Sequence, residues 1–121
     1  MKMTMPNGEV YDWFVVNDVS TYGSSMKYGT FAGGDQPYNV VENPEITDGS
    51  ACLVIKDSYG NALVPYLTQS FSDIYVIDMR YFDLNAVSFM QQVGATDVLF
   101  AMNTFSATGG NSECLETIRT Q

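Results

Sequence analysis

The chain contains no histidine, and that absence removes more chemistry than any single residue present adds. Imidazole is the usual general base at neutral pH and a common zinc ligand, so neither His-based proton transfer nor zinc chemistry of the usual kind is available within these 121 residues. Cysteine is nearly as scarce: Cys52 and Cys114 give neither a disulfide framework nor a metal-ligand spacing, and they read as structural thiols. No cofactor is expected. Basic residues are few, with five Lys and Arg against fourteen Asp and Glu and a formal charge of -9. Nucleic acid and anionic membrane surfaces, which bind by having their phosphates neutralised, are therefore not expected as partners. No run approaches the roughly 18 consecutive apolar residues of a spanning helix, and residues 1–6 lack the apolar stretch of a secretory signal.

What is present suits one compact domain. Apolar residues make up 45% and aromatic residues 13% of the chain, enough for a core but too little for two domains. From Ser50 onward short apolar runs alternate with helical segments, the pattern of βαβ units in a parallel sheet. Strands are expected at 51–56, 74–78 and 97–102. The helix after the first should begin no earlier than about Asn61, because Pro65 is best tolerated in a first turn, and Leu63 and Leu67 would share its buried face. The second helix has Asp83 or Asn85 as N-cap, Ala86, Phe89, Met90 and Val93 at helical spacing, and Gly94 as its stop. A third starts at Asn111 or Ser112, with Cys114, Leu115 and Ile118 inward and Glu113 near its positive end. In the first fifty residues, 9–16 and 38–41 suggest strands. The glycine-rich stretch 22–34 reads as an irregular loop that winds around the sheet or reaches its active edge.

Chemistry is most plausible at Lys56-Asp57-Ser58-Tyr59-Gly60-Asn61, where an apolar strand ends and a helix begins. Ligands of open α/β sheets sit beyond the carboxyl ends of strands, where a serine Oγ can be exposed while helix N-terminal amides face a developing oxyanion. Gly60 would allow close approach of substrate or backbone. The blander alternative is that Ser58 and Asn61 only cap a helix. Strand-end Asp57, Asp78 and Asp97 raise the question of a phosphoacceptor or magnesium site, but no acidic pair follows the first strand and no lysine the last. Tyr59, Tyr66 and Tyr81 either stack on sugar faces or, the expectation for at least two of them, pack in the core.

Residues 56–67 resemble the nucleophile block of the DHHW family, an SGNH-hydrolase-like group. The stretch 74–82 resembles its second strand with the Asp-x-Arg-Tyr ending, 96–100 its third, and 28–35 the Gly-Gly loop upstream. The four blocks span about residues 28 to 105 in the family's order. The resemblance implies a three-layer, SGNH or flavodoxin-like α/β fold with a partial parallel sheet, βαβαβ from about residue 51, behind an irregular strand-containing N-terminal segment. It makes Ser58 the nucleophile, with Gly34, Gly60, Asn61, Arg80 and Asn103 as oxyanion or substrate-binding candidates. The Gly34 N–H would join that of Ser58 at the oxyanion, and Arg80 would hold a carboxylate or sugar hydroxyl. Each has a structural alternative: an ion pair with Asp78 or Asp83 for Arg80, turns for Gly34 and Asn103.

In that family and the related polysaccharide O-acetyltransferases the serine works with an aspartate and a histidine from an upstream Asp-His-His-Trp motif, which is missing here. The 121 residues are therefore expected to be one domain, the C-terminal part of a longer bacterial extracytoplasmic esterase or O-acyltransferase acting on carbohydrate acyl esters, and inactive alone. The competing expectation is a non-catalytic glycan- or protein-binding module on the same fold. Loss of the upstream part would expose apolar surface and favour a homodimer.

Overall fold

In a computed structural model that describes residues 1–14 and 16–121, six strands of the described residues form one sheet. In chain order they are β1 (Lys2–Thr4), β2 (Val10–Asp12), β3 (Tyr38–Glu42), β4 (Ala51–Lys56), β5 (Asp73–Asp78) and β6 (Asp97–Ala101). Across the sheet they run β2-β1-β3-β5-β4-β6. The strands β5, β4 and β6 are mutually parallel, whereas β3, β1 and β2 extend the β5 side by antiparallel pairing. Every residue of β4 is buried, as expected of an unbroken apolar run covered on both faces.

Helices supply those two covers. A 3-10 turn at Ser58–Ala62 leads into α1 (Val64–Leu67), and α2 (Ala86–Gln92), α3 (Thr104–Thr108) and α4 (Ser112–Thr120) follow. Strand side chains alternate between faces with period two. Cys52, Val54, Ile74 and Val76 pack with Val64 and with Met3, Trp13 and Val41 on one side. Leu53, Ile55 and Ile77 pack with Ala86, Phe82 and Ile118 on the other. The α/β architecture expected from residue 51 onward is thus what the chain adopts. Because α1 crosses one face and α2 the other, β4 ends at the point where the crossovers diverge, the place such sheets keep open for ligands.

Local chemistry explains where the expectations held and where they moved. Asn85 caps α2, its Oδ1 accepting from the Ser88 N–H at 2.8 Å, and Gly94 takes the left-handed φ of +65° just beyond. Asn111 is the N-cap residue of α4, whose Ile118 is buried. The helix after β4 differs: it opens as a tight turn at Ser58 and has only four α-helical residues, which shifts its phase. Val64 and Pro65 are buried while Leu63 is exposed. The strands of the N-terminal segment, β1, β2 and β3, join the main sheet. Of the expected strand 9–16 only Val10–Asp12 forms among the described residues, and Val15 lies outside them. The loop 22–34 holds a 3-10 run at Ser24–Thr30. Burial, and secondarily the charge of Asp97, pushes the Cys52 thiol up to about 11, which suits a structural cysteine. No helix among the described residues is long and apolar enough to cross a membrane.

Candidate active site

Strand β4 runs five apolar residues into the interior and then ends on a lysine. Lys56 is only 1% exposed, so its ammonium must find counter-charge inside the protein. The parallel register sets Lys56 against Asp78, and Nζ donates to Asp78 Oδ2 at 2.8 Å. Arg80, two residues on, closes over the same carboxylate: Nε donates to Oδ1 at 2.9 Å and an Nη to Oδ2 at 2.7 Å. A second carboxylate joins from the loop, with Asp35 Oδ2 3.0 Å from the Arg80 guanidinium and Oδ1 3.6 Å from Lys56 Nζ. Two cations thus meet two anions. Burial by itself would raise Asp78, but hydrogen bonds from Arg80 and Lys56 and the Lys56 charge outweigh it and hold the carboxyl below its ordinary range. The same hydrogen bond to Asp78 holds the Arg80 guanidinium above its usual value.

Arg80 is therefore an ion-pair partner of Asp78, one of its two expected roles. Its guanidinium also lies 4.9 Å from the Tyr81 ring centroid. Neither Asp35 nor the burial of Lys56 figured among the expected site residues. The available signal was a lysine closing one apolar strand and an aspartate closing the next, which a parallel register places side by side.

The turn carrying Ser58 is organised by its neighbour. Asp57, not Ser58, is the cap: its Oδ1 accepts from the Tyr59 N–H at 2.9 Å, and its main-chain carbonyl accepts from the Gly60 N–H at 3.0 Å. Asp57 Oδ2 accepts from the Asn103 N–H at 3.0 Å and from Asn103 Nδ2 at 2.6 Å, tying the exit of β6 to the turn. The N–H and hydroxyl of Ser58 are left with no hydrogen-bond partner among the described residues, and the residue is half-buried. Nor is Asn61 a cap. It is fully buried, donates from Nδ2 to Asp35 Oδ1 at 2.8 Å, and leaves Oδ1 without a partner among the described residues.

The remaining candidates have firm structural reasons. A Cβ at Gly60 would lie 2.5 Å from Lys56 Cβ and 2.7 Å from the Ala101 carbonyl oxygen, so glycine lets the turn rest on β4 and β6. It is the protein's own backbone that makes the close approach there. Gly60→Ala is expected to destabilise the chain by about 1–3 kcal/mol, read as a lower urea midpoint at unchanged slope. Gly34 sits at φ +84° and its N–H donates to the Phe31 carbonyl at 2.9 Å; the donor expected at the oxyanion is already engaged. Asn103 caps α3, with Oδ1 accepting from the Ser106 N–H at 2.9 Å.

Gly34 and Asn61 line a cavity of about 750 Å³ with Asp35, Gln36 and Tyr28. Ser58, Gly60, Arg80 and Asn103 are not among its lining residues. A second cavity of about 430 Å³, lined by Leu53, Ile55, Val98, Phe100 and Leu115 among others, opens on the α2 and α4 face. The expectation that two of the three tyrosines pack in the core is overturned. Tyr59, Tyr66 and Tyr81 are 69%, 80% and 54% exposed.

The sequence profile of the family described as DHHW protein matches residues 1–77. The chain belongs to the DHHW family. That match includes Asp35, Lys56, Ser58 and Asn61 and stops just short of Asp78. A DHHW family protein from Eubacterium siraeum DSM 15702 is 39% identical and superimposes with a TM-score of 0.78, over 95% of this chain and 38% of its own. PatB1 of Bacillus cereus is 26% identical with a TM-score of 0.68, over 89% of this chain and 36% of its own. A second structure of PatB1, with a sulfonyl adduct, is 25% identical over 89% of this chain and 38% of its own, again with a TM-score of 0.68. No curated protein matches the sequence. This DHHW chain thus spans well under half the length of the solved proteins it resembles.

Proposed function

We propose that this DHHW chain is the nucleophile-bearing part of an SGNH-like serine esterase or O-acyltransferase acting on carbohydrate acyl esters outside the cytoplasm. The observation that carries the reading is the state of Ser58. It sits where the two crossovers diverge, and Asp57 takes over the capping that would otherwise occupy it. Its N–H and its Oγ are both left without partners among the described residues, side by side in one residue. In the reaction Oγ bonds to the acyl carbon, its proton passes to a base, and the carbonyl oxygen becomes an oxyanion that the Ser58 N–H can meet. Collapse of the adduct expels the alcohol, which takes up the proton, and water or an acceptor hydroxyl then removes the acyl group.

The base must come from outside these residues, which include no histidine; a longer chain of the relatives' length has room for it. The sulfonyl adduct in a PatB1 structure supports the reading, since sulfonyl reagents capture activated nucleophiles. The test follows from that chemistry. Phenylmethanesulfonyl fluoride should modify Ser58 in the full-length protein and leave the isolated 121 residues unlabelled, as read by mass spectrometry of the peptide. Modification elsewhere, or equal labelling of both forms, would count against a serine activated by an added base.

Exposure of Tyr59, Tyr66 and Tyr81 favours a second reading, a glycan-binding module that stacks sugars on aromatic rings. Glycan affinity that survives Ser58→Ala, together with no acyl transfer by the full-length protein, would select it.

A further inference from the structure

We infer that Asp35 is a positioning residue for the nucleophile: its carboxylate fastens the left-handed turn at 32–34 to the turn that carries Ser58. The inference rests on the esterase reading for its catalytic consequence, though not for its geometry. Three consecutive residues, Ala32, Gly33 and Gly34, have φ of 50°, 72° and 84°. Glycine accepts this region freely, but alanine does so at a cost of about 1–2 kcal/mol, so the turn persists only because something holds it. Its start is held by Asn39 in β3, whose Nδ2 donates to the Ala32 carbonyl at 2.7 Å. Its end is held by Asp35, which touches three other elements at once. One oxygen accepts from Asn61 in the Ser58 turn at 2.8 Å and faces Lys56 at the end of β4. The other takes the Arg80 guanidinium after β5 at 3.0 Å.

Electrostatics gives the same assignment. Asp78 alone faces two cations, and Asp35 supplies the second negative charge that makes the group neutral. Asn61 depends on it as well. With Oδ1 already unpartnered among the described residues, loss of the Asp35 acceptor would leave the whole buried amide unpaired, a cost the turn can relieve only by moving. Ser58 lies three residues before Asn61 in the same turn, so its Oγ and N–H move with it. A displacement of about 1 Å at a reacting group is enough to lower a rate substantially.

Two variants separate these contributions. Asp35→Asn keeps an acceptor for Asn61 and drops the charge; Asp35→Ala drops both. In the 121-residue chain, amide hydrogen exchange at Gly34, Tyr59 and Gly60, whose N–H groups are hydrogen-bonded, is expected to quicken about tenfold or more in Asp35→Ala and less in Asp35→Asn. Val54 and Val76 should stay protected. In the full-length protein, kcat toward an aryl acetate is expected to fall about 10- to 100-fold in Asp35→Ala at little-changed KM, with partial recovery in Asp35→Glu. Unchanged exchange in the Ser58 turn, acceleration spread evenly through β4 and β5, or a kcat equal to the parent's overturns the inference. Full turnover by Ser58→Ala would instead remove the serine as nucleophile and leave the exchange comparison to decide on Asp35.

Discussion

In the longer acyl-transfer protein proposed above, Ser58→Ala is expected to lower kcat for an acyl ester by roughly 10⁴- to 10⁶-fold, the span found when single members of Ser-His-Asp units are removed. The size of the effect follows from what the hydroxyl does. In the proposed reaction it supplies the atom that bonds to the acyl carbon, and neither neighbouring carboxylate is free to take its place. Asp57 is turned to the Tyr59 and Asn103 amides, and Asp78 is enclosed by Lys56 and Arg80. The substitution removes no hydrogen bond made by the hydroxyl to a described residue, so the midpoint of thermal unfolding should stay close to the parent's. A steady-state assay with 4-nitrophenyl acetate, paired with a melting curve, reads both. Loss of activity through unfolding would shift the second measurement, and undiminished turnover would exclude Ser58 from the chemistry.

Asp78→Ala carries the largest expected change in stability, about 3–5 kcal/mol, because it leaves Lys56 buried with its ammonium 3.6 Å from Asp35 as the nearest remaining carboxylate. A domain of this size is stable by only about 5–15 kcal/mol, so the variant should be marginal at room temperature. Urea unfolding of Asp78→Ala and Asp78→Asn measures the loss; a change below about 1 kcal/mol would mean that Lys56 escapes to water in the variant. The pH dependence follows from the direction of the Asp78 shift. Its folded value is depressed, so the stabilisation is complete above the unfolded value of about 3.9 and disappears as pH falls through the folded one. The parent should lose stability in that acid range, and Asp78→Asn should lack this part of the dependence.

The parts of the fold that were legible in the sequence are those whose local chemistry and tertiary role agree. The run Ala51–Ile55 is apolar throughout because β4 is covered on both faces. The second helix announced itself because a capping residue, apolar spacing and a terminal glycine agree on one stretch, of which Ala86–Gln92 is helical. Elements of three residues such as β1 and β2 are too short for any period to register, and what fixes them is pairing, β1 with β3 and β2 with β1. The tight turn at Ser58 was not foreseen. Its three-residue pitch altered the phase of the following helix, which sent Leu63 and Tyr66 outward and Val64 inward.

The site divides in the same way. Ser58 could be picked out from its place at a strand end and from the resemblance of its block to DHHW sequences. Arg80 could be singled out but not assigned, since an arginine two residues after an aspartate serves a ligand or a neighbour equally well. Asp35 was out of reach. It lies in a loop without period, and it arrives beside Lys56 through three left-handed residues that the sequence displays only as a Gly-Gly pair.

Strand order also sets a timetable for synthesis. Because β3 is hydrogen-bonded to β5 and not to β4, the hairpin of β1 and β2 and the strand after it have no place to dock until residues 73–78 leave the ribosome. Lys56 emerges earlier than its counter-ion and stays hydrated through that interval. The turn that carries Ser58 waits longer still, because Asp57 is tied to Asn103 and Gly60 rests on Ala101, so a pause in translation before Asn103 would hold that corner unformed.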